Sequence, residues 1–110
     1  MYMDKKYKVI IEAIYEVKSV KEEKILMEEK LKRILEDTNS KYLLYLFMKK
    51  HNCFYNEKIK SILDMKDRKK INTNIKKGKE KFLINKSFRE TYFEIDNLIE
   101  KIIRNDKKII

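Results

Sequence analysis

Across its 110 residues this chain has no proline and a single glycine, Gly78. Tight turns between strands lean on Gly, Pro and Asn-Gly pairs, so a hairpin-rich β fold is nearly excluded. Long helices joined by short polar connections remain. The length suits one domain, and a helical domain of this size buries roughly two-thirds of its unfolded surface. The expectation is therefore a single helical domain over residues 1–110: all-α, a compact bundle of five or six helices.

The hydrophobic spacing places those helices. Tyr7, Ile10, Ile11, Ile14 and Val17 fall at i, i+3, i+4 and i+7 and predict a helix from about Asp4 to Lys18. "SVKE", residues 19–22, has the capping-box pattern, in which Ser19 caps the amide of Glu22 and Glu22 reaches back. A second helix is expected from there to about Glu36, with Val20, Met27, Leu31 and Ile34 along one side. "DTNS", residues 37–40, reads as a break, because all four residues favour caps and turns. Seven apolar residues then run from Tyr42 to Met48, which describes a central helix buried all round. A buried strand would look the same, but the chain has no other strand for it to pair with. "HNCFYN" makes the next connection. Asn56 can cap a short helix carrying Ile59, Ile62 and Leu63. Asp67 can cap another, with Ile71 and Ile75 inward, running through Gly78 to about Phe82. A second capping box, "SFRE" at 87–90, opens a C-terminal packing helix over 87–104. Its Phe88, Tyr92, Ile95, Ile99 and Ile102 form a seam for packing on another helix, within the fold or across a dimer. Two heptads are short for a coiled coil and favour core packing.

Catalytic chemistry finds little support. His51 and Cys53 lie close together, but a zinc site wants four ligands, and no second His or Cys exists. A Cys-His nucleophile pair wants an orienting group and a pocket. Both residues read as structural. The carboxylates Glu22, Glu23, Glu28, Glu29, Glu36 and Asp37 alternate with lysines, the pattern of a solvated helix face. One glycine cannot build a phosphate-cradling loop. No enzyme activity, metal or cofactor is expected. A lone cysteine forms no intrachain disulfide and suits the reducing cytoplasm. The N-terminal stretch lacks a long apolar core and a small-residue cleavage site, so no signal peptide is expected. The apolar run at 42–48 is far short of the ~20 residues a membrane span needs, so no membrane association is expected.

Charge is where the chain is unusual. Lys plus Arg number 28 against 18 Asp plus Glu, a net charge of +10. An AT-rich coding sequence accounts for lysine over arginine and for the frequent Ile and Asn, but it leaves the excess of bases unexplained. That excess is also concentrated: residues 66–81 hold eight bases and two acids, +6, while the other 94 residues carry +4. Within "KKINTNIKKGKEKF", Ile71 and Ile75 can both face a core. Asn72, Thr73 and Asn74 then lie partly or wholly outward, flanked by Lys69, Lys70, Lys76, Lys77 and Lys79. Such a helix could lie in a major groove, where Asn pairs with an adenine edge, Thr meets a thymine methyl and lysines meet phosphates.

Residues 57–82, "EKIKSILDMKDRKKINTNIKKGKEKF", resemble a helix-turn-helix of the kind found in the promoter-reading domain of sigma factors and in related phage regulators and transposases. Ile59, Ile62 and Leu63 are similar to the apolar positions of its first helix, and Met65 to the apolar residue of its turn. Ile71 and Ile75 match the core of the recognition helix, and "KKGKEKF" its basic tail. The resemblance implies that Arg68, Lys69, Asn72, Thr73 and Lys76 face DNA; the basic run adds Lys70, Lys77 and Lys79 as candidate contacts.

The reading that follows is a small, basic, cytoplasmic, non-catalytic DNA-binding regulator or accessory factor of phage, viral or plasmid type, with double-stranded DNA as partner and a homodimer as a candidate state. Two alternatives stand beside it. One is another nucleic-acid surface or an ordinary solvated helix face. The other is a helical protein-interaction module, such as a small ribonucleoprotein subunit or a viral inhibitor of a nucleic-acid enzyme.

Overall fold

The computed structural model describes residues 3–18, 25–55, 61 and 68–109. Among the described residues there are five α-helices, one 3₁₀ turn and no strand: α1 Met3–Lys18, α2 Met27–Glu36, α3 Thr38–Lys50, the 3₁₀ turn Cys53–Tyr55, α4 Arg68–Ile84 and α5 Lys86–Ile109. The Cα radius of gyration is 13.6 Å, close to the ~13 Å of a compact chain this long. The all-α bundle expected from the missing turn residues is what forms.

The apolar spacing explains the packing. Tyr7, Ile10, Ile11 and Ile14 of α1, Leu31 and Ile34 of α2, Leu43, Leu44, Phe47 and Met48 of α3, and Phe88, Ile95 and Ile99 of α5 are buried in one cluster. The central position of α3 follows from its all-round apolar sequence: it packs on α1, α2 and α4. Phe47 stacks on Tyr92 of α5 with ring centroids 4.5 Å apart, and Phe82 of α4 meets Tyr92 edge-on at 5.1 Å. Burying a ring such as that of Phe47 stabilises by about 1.5–3 kcal/mol. Polar pins sit at the rim of this core. Lys30 donates to both carboxylate oxygens of Glu12, at 2.9 and 2.7 Å, tying α2 to α1. Lys50 meets Asp96 at 2.6 Å, tying α3 to α5.

Three boundaries differ from the sequence expectation. The second helix begins at Met27, since Ile25 is not helical and Leu26 is extended, with φ −67° and ψ 154°. Glu28 and Glu29 then fall in the first turn, where carboxylates suit the positive end of the helix dipole. The capping box at 19–22 and Val20 lie outside the described residues. The break at "DTNS" is Asp37 alone. Its Oδ2 accepts from the Ser40 backbone N–H at 3.0 Å and from the Ser40 hydroxyl at 2.6 Å, so Thr38 to Ser40 become the first turn of α3. Those bonds with Ser40, helped by Lys18 and Lys81, outweigh partial burial and hold the Asp37 carboxyl below its usual pKa. Finally, α5 is capped by Asn85 rather than by Ser87. Asn85 Oδ1 accepts from the Phe88 N–H at 3.0 Å, and Asn caps as well as Ser. Ser87 is left inside the first turn, its carbonyl accepting from the Thr91 hydroxyl at 3.0 Å.

Asn85 is thus the entire connection between α4 and α5. The carbonyls at the end of α4 would be orphaned by so abrupt a stop. Arg89 supplies donors: its Nη1 lies 2.9 Å from the Phe82 oxygen and 3.3 Å from that of Leu83.

Candidate nucleic-acid interface

The inward arc of α4 is built from Ile71, Ile75, Gly78 and Phe82, spaced four, three and four residues apart. Ile75 is buried with Tyr45, and Ile71 and Phe54 pack beside them as a second small cluster. Gly78 is buried where α4 crosses α3. A Cβ built there would stand 3.0 Å from Leu46 Cγ and 3.2 Å from both its methyl carbons. The lone glycine therefore serves a close helix approach, and it sets how near the basic helix lies to the bundle.

The remaining arc faces solvent. Arg68, Lys69, Lys70, Asn72, Thr73, Lys76, Lys77 and Lys79 are all exposed, and no acid occurs from Arg68 to Lys79. At 3.6 residues per turn these eight span about 200° of the helix circumference. Arg68 and Lys79 lie along one edge of that arc, and Lys70 and Lys77 along the other. Lys69, Asn72, Thr73 and Lys76 lie between them. A flat surface could touch only part of so wide an arc, whereas a groove touches its floor and both flanks at once. The major groove of B-DNA is about 12 Å wide and admits one α-helix.

Two side chains of the run turn the other way. Lys81 donates to Asn39 Oδ1 and lies 5.9 Å from the Tyr42 ring centroid, so it joins α4 to the start of α3. Asn74 is half-buried and donates its Nδ2 to the Lys70 carbonyl at 2.9 Å. Burial raises the pKa of Tyr45, and Asn74 acts on it in the opposite direction. The outward polar patch is therefore Asn72 and Thr73, without Asn74. Of the other arginines, Arg89 serves the end of α4, and Arg33 donates to Tyr15 at 3.2 Å while meeting Glu29 at 3.5 Å. Arg68 is the arginine on the basic helix.

The first helix and turn of the helix-turn-helix-like segment, with Ile59, Ile62, Leu63 and Met65, lie outside the described residues, as do the caps at Asn56 and Asp67. The seam residues of α5 go into this chain's own bundle: Phe88, Ile95 and Ile99 are buried, and Tyr92 and Ile102 are half-buried.

His51 caps the C-terminus of α3, its N–H donating to the Phe47 carbonyl at 3.0 Å. Its Nε2 is buried without a hydrogen bond. Burial, then the charges of Lys6 and Lys50, push its pKa down. Burial likewise raises the Cys53 thiol. Among the described residues no group of three or more His, Cys, Asp or Glu could hold a metal ion, and no helix is long and apolar enough to cross a membrane. A cleft of about 360 Å³ between α1, α2 and the start of α3 is lined by Tyr15, Lys18, Arg33, Ile34, Asp37 and Ser40. Its polar groups engage one another, Lys18 with Asp37 at 3.9 Å among them.

Compared with protein-family models, curated proteins and solved structures, the chain matches none.

Proposed function

We propose that this chain is a non-catalytic DNA-binding protein, a regulator or accessory factor that lays α4 in the major groove of duplex DNA. The observation that carries the reading is the wide, acid-free arc of exposed bases on α4, whose opposite side is held to the bundle by Ile75 and Gly78. Arg68, Lys70, Lys77 and Lys79, at the edges of the arc, meet phosphates on the two walls. Lys69, Asn72, Thr73 and Lys76 approach the base edges on the floor. The helix has one arginine, Arg68, and it stands at a wall of the groove, so no arginine reaches the floor for the bidentate guanine contact; phosphate contacts dominate affinity and base selectivity is modest.

Titrating a fluorescent duplex of AT-rich sequence, about three helical turns long, at several salt concentrations tests this. Four phosphate contacts give a slope of log K against log salt of about −3.6. A variant carrying Lys69→Glu, Lys70→Glu, Lys76→Glu and Lys77→Glu loses that binding while keeping its helical circular dichroism. Equal, feeble binding by both proteins overturns the proposal. The competing reading, a protein-interaction module, draws on the exposed apolar residues where α4 meets α5. On that reading a partner stays bound after nuclease treatment.

A further inference from the structure

The basic arc of α4 ends in a corner of a different character. Leu83 and Ile84, the last two residues of the helix, are 74% and 84% exposed. Phe93 of α5 is 51% exposed and meets Phe82 edge-on, with centroids 5.7 Å apart. Leu26 aside, these are the large apolar side chains left most exposed among the described residues. Charge changes at the same place. Residues 80–94 hold three acids, Glu80, Glu90 and Glu94, and three bases, Lys81, Lys86 and Arg89, so the stretch is neutral beside the +6 of residues 68–79.

We propose that this α4–α5 corner is a self-association surface through which two copies of the chain pair about a two-fold axis. A second copy is the occupant that the charges favour. Each copy carries +10, so two copies repel wherever basic arcs face each other, and a neutral corner is where they approach at least cost. An isologous contact must also complement itself. Here Lys86 and Glu90 stand one turn apart, 3.9 Å between their charged groups, so each copy offers both signs around its apolar centre. A strongly acidic partner would instead be drawn to the basic arc. The α5 seam, the other candidate dimer surface, is already filled by this chain's own core.

One consequence rests on the DNA-binding reading. Thr73, in the middle of the basic arc, lies eleven residues before Ile84, which is about 16 Å along the helix axis. A two-fold axis at the corner sets the two arcs at most about 33 Å apart, the limit reached with the two helices end to end.

Sedimentation equilibrium of the full chain without nucleic acid, across the micromolar range and at low and high salt, tests the pairing. The expected result is a dimer that tightens as salt screens the mutual repulsion, and a Leu83→Glu/Ile84→Glu variant that is monomeric with unchanged helical content. A wild type that stays monomeric throughout overturns the proposal, as does a variant that dimerises equally well. If that variant loses helix, Asn97→Cys carrying a nitroxide replaces it, exposed one turn beyond Phe93 and outside the apolar contact, since Cys53 is buried. Dipolar coupling between two labels supports the pairing, and a dimer without coupling overturns it. Duplex binding is scored separately. A dimer that ignores duplex leaves the pairing standing and removes the DNA-binding reading, and a duplex-binding monomer does the reverse.

Discussion

His51 is the only histidine in the chain, and its buried Nε2 accepts no proton without cost. Burial lowers its folded pKa below the usual 6.5. An unfolded chain therefore takes up a proton first as pH falls. The stability tied to neutral His51 is fully present above pH 6.5 and is lost as pH falls through the folded value. The urea midpoint is expected to drop between about pH 7.5 and 5.5, a window in which other side chains barely titrate. A His51→Gln variant should show a flatter profile over the same window. An unchanged slope in that variant would place the titration elsewhere.

At the scale of elements, the contact that positions the candidate site is the α3–α4 crossing. Glycine inside a helix costs about 1 kcal/mol relative to alanine, and the chain accepts that cost at Gly78 because Leu46 occupies the space a Cβ would need. A Gly78→Val substitution should cost about 1–3 kcal/mol, the range for overpacking a close contact. Urea unfolding measures it, and no loss of stability would mean that Leu46 swings aside freely. The tie between Lys81 and Asn39 and the buried Ile75 act at either side of the same crossing. The basic helix is held along its inner arc, and the bases of its outer arc are exposed.

For the whole molecule, the balance is between self-repulsion and screening. Residues 68–79 gather +6 on one helix of a +10 chain, while ion pairs such as Lys30–Glu12 and Lys50–Asp96 pull the other way. Raising salt from about 0.01 M to about 0.15 M shortens the screening length from roughly 30 Å to 8 Å. Melting temperature is expected to rise over that range, by about 4–8 °C if the gain is near 1 kcal/mol. On the DNA-binding reading, duplex affinity falls over the same range. A falling melting temperature would show that the ion pairs outweigh the clustered charge.

Much of this was legible in the chain itself, because the signals are local. The absence of proline and the spacing of Ile10, Ile11 and Ile14, of Leu31 and Ile34, and of Phe88, Ile95 and Ile99 determined an all-α bundle and which faces it buries. The acid-free run from Arg68 to Lys79 determined where positive charge gathers. Competing local signals hid the ends of helices: Asn85 and Ser87 are equally good caps two residues apart, and only the stop of α4 selects the first. Tertiary structure decided the rest, since each remaining answer depends on a neighbour distant in sequence. Gly78 acquires its meaning from Leu46, and Lys81 leaves the basic arc because Asn39 and Tyr42 receive it. The α5 seam turned inward because Phe47, Leu43 and their neighbours were there to cover it. Periodicity says which residues leave water; packing alone says what they meet.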